Sequence, residues 1–336
     1  MARTKADGMF ASSMPDHRSP SLDFALEIDF SGVLTNPILD IAARVWEPSR
    51  YEAFQVCYRS MRRIDDLVDD LKAEYGAVPS ELAVHAEREI ALWLGKLQAG
   101  SLDDDYGRLF LATIQSFAIP LWPWERLGQA MVFDLQHEGF ANFHVFLRYC
   151  EGAAISPAAV FMHLCGVRQA GEKCDPPKYG IRKAARELAI FSYLTHIMRD
   201  FEKDQKAGLN YFADSILRLA GITAHEVREL AESGKVDGRL REVFRTYHAT
   251  AKRYQQKARA VVDSTLVKLE PRYQLSLELI FALYSQIFER INPATGGFGK
   301  DELNPSPAEV AGAVQRTIER FRPVEGSGAS HRDSMR

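Results

Sequence analysis

The sequence predicts an all-α protein folded around an apolar cavity. Three observations lead there. Apolar residues recur at intervals of three and four through most of the 336-residue chain, the period of a helix with one buried face. Breakers rich in glycine and proline cut the pattern into helix-length pieces. No stretch alternates as a half-buried strand does, and no internal repeat is visible. Long helices with apolar flanks can enclose a ligand-sized space between them.

Taken in order, helical spacing covers residues 36–46 (NPILDIAARVW), 81–98 (ELAVHAEREIALWLGKLQ) and 106–119 (YGRLFLATIQSFAI). It resumes over 182–204 (RKAARELAIFSYLTHIMRDFEKD), 225–234, 240–269 and 273–291. The breakers are GSLDDDYG at 100–107, GEKCDPPKYG at 171–180 and NPATGGFGKDELNPSP at 292–307. Residues 1–22 and 323–336 lack apolar periodicity and are expected to be disordered tails. Residues 23–322 then form a single all-α domain.

Composition narrows the function. A hydrophobic fraction of 46% supports a sizeable core. The net charge of −3 comes without any basic block, so no nucleic-acid partner is expected. No apolar run reaches the roughly 18 residues of a spanning helix, and the polar N-terminus lacks the apolar segment of a signal peptide. Cys57, Cys150, Cys165 and Cys174 are scattered, which fits reduced thiols in a cytoplasmic protein. Nothing in the sequence sets the oligomeric state.

The chemistry concentrates in YRSMRRIDDLVDD, residues 58–70, which packs four aspartates beside three arginines. On a helix at about 100° per residue, Met61, Ile64, Leu67, Val68 and Leu71 form one apolar stripe. Asp65 and Asp69 border that stripe, with Arg62 and Tyr58 continuing the same strip. Asp66 and Asp70 fall on the far side, toward solvent. A second segment, YLTHIMRDFEKDQKAGLNYF at 193–212, repeats the arrangement. Its Tyr193, His196, Asp200 and Asp204 share a strip about 80° wide, with Arg199 to one side. A lone acidic helical face is usually only solvated. Two of them, each beside an apolar face, suit Mg²⁺ bridging carboxylates to a substrate diphosphate. Such ions would stabilise a departing diphosphate, and the apolar space beneath would keep water from a carbocation.

These segments resemble the two aspartate motifs of the squalene/phytoene synthases. DLQHEGFANFHVFLRYCEGAA, residues 134–154, is similar to the segment that lies between those motifs. The resemblance spans roughly residues 36–300 and implies an isoprenoid-synthase-type helical bundle. It also implies condensation of two farnesyl or geranylgeranyl diphosphates head to head, through a cyclopropyl diphosphate. By the same resemblance Asp65, Asp69, Asp200 and Asp204 would hold several Mg²⁺ ions. Arg62 and Arg199 would contact diphosphate, and Tyr149 and Tyr211 would line the reacting centre. Tyr58, Tyr193, His196 and Tyr284 would contact substrate. NADPH enters only where the product is squalene. Products of this kind are oils, which points to peripheral contact with a membrane surface.

The chain departs from the family pattern where Tyr193 and His196 replace Gln and Asn, Leu209 replaces Arg, and Ala213 replaces Pro. Pro157 is expected to kink a helix. Two other readings stay open at this stage. One is a class I terpene cyclase acting on a single prenyl diphosphate. The other is a non-catalytic relative that binds prenyl diphosphate.

Overall fold

The computed structural model describes residues 23–170 and 173–325. The expected N-terminal tail and residues 326–336 lie outside the described residues. Residues 323–325, expected to belong to the C-terminal tail, are described as ordered chain. There the Gln274 side chain bonds both backbone groups of Val324.

Short helices α1 (Asp23–Leu26) and α2 (Ile38–Ala43) lead into the long α3 (Pro48–Tyr75). Then come α4 (Ser80–Gln98), α5 (Asp105–Ser116), α6 (Trp122–Gln136), α7 (Phe143–Ala153) and α8 (Ile155–Gly166). A hairpin, β1 (Arg168–Ala170) with β2 (Lys173–Asp175), precedes α9 (Ile181–Arg199) and α10 (Phe201–Lys206). The remainder is α11 (Asp214–Leu219), α12 (Ala224–Ser233), α13 (Gly238–Leu266), α14 (Pro271–Arg290), α15 (Lys300–Leu303) and α16 (Pro307–Arg320).

Local chemistry sets many of these boundaries. α3 starts with proline in its first turn and stops at Gly76, whose φ of 68° suits glycine. The Asp104 carboxylate caps α5 by accepting from Gly107 N. Thr223 and Ser306 each close a capping box, with Glu226 and Glu309. α16 was missed in the sequence, and the Ser306–Glu309 box is the signal that could have found it. α6 was missed as well, and the antiparallel hairpin corrects the expectation of no strand.

Three expectations about helix shape are refined. Met61, Ile64 and Val68 are buried on α3, but Leu67, about 60° from Ile64 at the edge of the stripe, is 38% exposed. Pro157 cannot donate a hydrogen bond to the carbonyl four residues back, and the axis turns by 43° between α7 and α8. The segment over 182–204 is also not one helix. It breaks at Asp200, with φ −91° and ψ 8°. Asp204 N still bonds Asp200 O at 2.8 Å, so the two aspartates keep their one-turn relation.

Aromatic packing ties the bundle together. Trp46 lies against Phe54, Phe161 and Tyr273, at centroid distances of 4.6 to 5.9 Å. Its indole N–H donates to Ser276, which donates to the Ala42 carbonyl. No single described helix is long and apolar enough to cross a membrane. The bent α7–α8 pair matches only in length and composition, and most of α8 is buried in the core.

Helices α6 and α7 approach closely at Gly152. A Cβ there would stand 2.2 Å from the Arg126 carbonyl and 2.5 Å from the Ala130 methyl. Gly152→Ala must therefore push α6 and α7 apart, with an expected loss of about 1–3 kcal/mol. Denaturant unfolding would show it, and an unchanged midpoint would mean the two helices are not in this contact.

Candidate active site

A cavity of about 450 Å³ opens between α3 on one side and α9–α10 on the other, within the usual range for ligand sites. Every residue expected to bind metal, contact substrate or line the reacting centre borders it except Arg199. Its inner part is apolar, with Leu127, Pro157, Phe161, Leu188 and Ile280 among its walls. The mouth is acidic.

On the α3 wall, Arg62 pairs with Asp65 and with Asp66. Burial, and after it the neighbouring Asp69 carboxylate, pushes Asp65 up to about 7. Asp69 is raised by burial and by Asp134. On the opposite wall, burial and then Asp200 push Asp204 up to about 7, and Asp69 adds to this from across the mouth. The two acidic pairs therefore feel each other. Asp70, expected toward solvent, is exposed but also borders the mouth.

Asp200 behaves differently. Burial raises its pKa, but the Arg199 hydrogen bond, the adjoining His196 ring and the Arg199 charge outweigh burial, and the net shift is downward. Arg199 donates from Nε to Oδ1 at 2.6 Å and from Nη2 to Oδ2 at 2.8 Å. The same Nη2 donates to His196 Nδ1 at 2.8 Å. His196 is shifted downward by burial and by the Arg199 charge, so it is neutral at pH 7. Arg199 thus stands one layer behind the cavity surface, engaged with Asp200 and His196.

Below the carboxylates lie tyrosine rings. The Tyr149, Tyr193 and Tyr211 centroids are 6.1 to 6.5 Å apart. Tyr58 and Tyr284 face the same space. Tyr149 Oη donates to Asp134 Oδ2 at 2.6 Å, and Lys72 Nζ lies 3.4 Å from Asp134 Oδ1. Asp134 is buried and its pKa is raised, chiefly by that burial. Sequence reading quoted the segment that begins with Asp134 but gave this residue no role. Its signal was an acid inside the apolar run AMVFDL, a place where charge is rare unless paired. Tyr149→Phe would leave Asp134 short of a donor. The expected cost is about 1.5–3 kcal/mol, read by chemical unfolding, and retention of full stability would contradict this bond.

The donor set suits a hard cation. Asp69 and Asp204 have no hydrogen bond or ion pair from their side chains among the described residues. Their mutual repulsion is relieved by a proton or by a metal ion. No three His, Cys, Asp or Glu side chains converge on one point among the described residues. Mg²⁺ does not require that, since it is commonly held by one or two carboxylates together with substrate phosphates and water. The four free cysteines stay away from the mouth.

An all-α bundle with two facing acidic walls over an apolar, tyrosine-lined cavity defines the class of helical protein to which this chain belongs. A family model described as squalene/phytoene synthase matches residues 40–321, and the chain belongs to that family. It is 25% identical over 254 residues to phytoene synthase 3, chloroplastic, of Zea mays, covering 75% of this chain and 55% of the relative. It is 24% identical over 260 residues to presqualene diphosphate synthase of Zymomonas mobilis, covering 75% of this chain and 78% of the relative. The chain spans a little over half the length of the plant relatives it matches. The fold is shared with a crystallised dehydrosqualene synthase, at TM-score 0.66 and 15% identity over 88% of this chain and 95% of that one. It is shared more loosely with a squalene synthase from Alicyclobacillus acidocaldarius, at TM-score 0.51 and 16% identity over 74% and 96%.

Proposed function

We propose that the protein condenses two molecules of farnesyl or geranylgeranyl diphosphate head to head, through a cyclopropyl diphosphate, to a squalene- or phytoene-type product. The observation that carries this reading is the pair of one-turn aspartate motifs facing each other across the mouth of one apolar cavity. Asp65 and Asp69 on one wall and Asp204 with Asp200 on the other would hold Mg²⁺. Bound there, the metal would neutralise the diphosphate and ease its departure.

The chain's own residues do the remaining work in this reading. The apolar walls hold the hydrocarbon tails and exclude water. The faces of Tyr149, Tyr193 and Tyr211 stabilise positive charge by cation–π attraction, more strongly in a dry site than in water. Because Tyr149 commits its proton to Asp134, its oxygen can turn only lone pairs toward a cation. NADPH has a part only where the product is squalene. An oily product favours release at a membrane surface, so peripheral contact belongs to the proposal.

The test is incubation with Mg²⁺ and each prenyl diphosphate separately, with and without NADPH, followed by mass spectrometry of the extract. A C30 or C40 hydrocarbon, or a cyclopropyl alcohol after dephosphorylation, supports the reading. A C15 or C20 cyclised product makes the protein a single-substrate cyclase. Binding without turnover makes it a non-catalytic relative.

A further inference from the structure

We propose that Lys203 receives the diphosphate directly, as the uncommitted cation at the mouth of the cavity. This rests on the reading that the cavity takes prenyl diphosphates, and it adds a diphosphate contact to those expected of Arg62 and Arg199.

Elimination among the mouth's charges leads to Lys203. The described residues lining the cavity include two strong bases, Arg62 and Lys203. Arg62 is held between Asp65 and Asp66 on its own helix. Arg199, behind the surface, uses Nε and Nη2 on Asp200 and Nη2 again on His196. A guanidinium can only donate, so His196 Nδ1 accepts. The neutral ring then carries its proton on Nε2, which lies 3.3 Å from Asp200 Oδ2. Arg199, Asp200 and His196 thus form a group with no net charge, in which only Arg199 Nη1 keeps unpaired donors, and Arg199 is not among the residues that line the cavity. Lys72 is buried against Asp134. Lys203 is exposed, and its side chain makes no ion pair or hydrogen bond among the described residues. It lines the same cavity mouth as His196, Asp200 and Asp204.

A lysine suits this place. Its ammonium is a compact charge with three donors on a flexible stem, able to follow a phosphate as it moves from ester to free anion. It also offsets part of the carboxylate repulsion before any ligand arrives.

The role has a signature of two opposite signs. Removing the charge takes away a donor from the diphosphate but also removes a cation that repels divalent metal. Lys203→Gln should therefore bind inorganic diphosphate, at fixed Mg²⁺, about tenfold more weakly. The same variant should bind Mg²⁺ alone more tightly than wild type. Lys203→Arg should keep both affinities near wild type. A merely structural role would move the two affinities together or not at all. The side chain is exposed, so the variants should fold.

Titration calorimetry on the full chain reads both affinities. Opposite shifts in Lys203→Gln, with near-normal values in Lys203→Arg, are the expected result. Unchanged diphosphate affinity in Lys203→Gln, or parallel loss of both affinities, overturns the role of Lys203. If wild type binds no diphosphate and consumes no prenyl diphosphate, the reading of the cavity itself falls, a separate outcome.

Discussion

Asp69→Asn and Asp204→Asn should each lower prenyl diphosphate consumption by about 10²–10³-fold, the usual scale for losing one preorganised charge contact, while making the metal-free protein more stable. The two effects share a cause. Both carboxylates sit in a partly dehydrated mouth and repel their neighbours, Asp69 facing Asp134 and Asp204 facing Asp200 and Asp69. A neutral amide removes that repulsion and with it the site's affinity for a cation. Asp200→Asn should behave otherwise. Its carboxylate balances the largely buried Arg199 guanidinium through two hydrogen bonds. Leaving that charge unpaired should cost about 3 kcal/mol. Melting temperature and product yield, measured side by side, separate the three. Wild-type turnover in Asp69→Asn or Asp204→Asn would remove the metal-holding role proposed for them. A stable Asp200→Asn would mean that Arg199 does not depend on it.

The metal-free protein should lose stability as pH rises from about 4 to about 7, and Mg²⁺ should restore more of it at pH 8 than at pH 5. Asp65 and Asp204 are pushed up to about 7 by burial and by the carboxylates beside them. In the unfolded chain such groups release their protons near 4. Between those values the folded state holds more protons than the unfolded one, so raising pH favours unfolding. The stabilising difference is fully present below the unfolded pKa and is gone above about pH 7. A divalent cation competes with protons for the same oxygens, so its benefit grows as protons leave. Thermal melts at the two pH values, with and without Mg²⁺, test this. An equal Mg²⁺ increment at both would show that the ion does not bind these carboxylates.

The acidic motifs were legible because a helix converts spacing into direction. Asp65 with Asp69, and Asp200 with Asp204, lie four apart beside apolar faces, and those strips do line the cavity. Tyr58 and Tyr193 followed from the same arithmetic. Lys203 was not legible, because it lies 100° around the helix from Asp204 and the backbone bend at Asp200 reorients that turn. The hydrogen bonding of Arg199 was hidden for a related reason. Spacing placed it beside the motif, but only packing showed that it reaches back to Asp200 and His196 and stands behind the surface. Pro157 announced its bend, whereas α6 and α16 hid behind starts rich in tryptophan and proline.

By itself the sequence determined that the protein is helical, that two carboxylate pairs border apolar helix faces, and that the family is that of the squalene/phytoene synthases. Helical period and local capping depend on near neighbours along the chain, and those are written in its order. Tertiary structure alone decided which charges are free. Whether a carboxylate is neutralised, as Asp200 is, or left to repel its neighbours, as Asp69 and Asp204 are, depends on groups that α3, α6, α9 and α10 bring to one mouth. Coulomb energy follows distance and burial in space, and neither can be read from positions along a line.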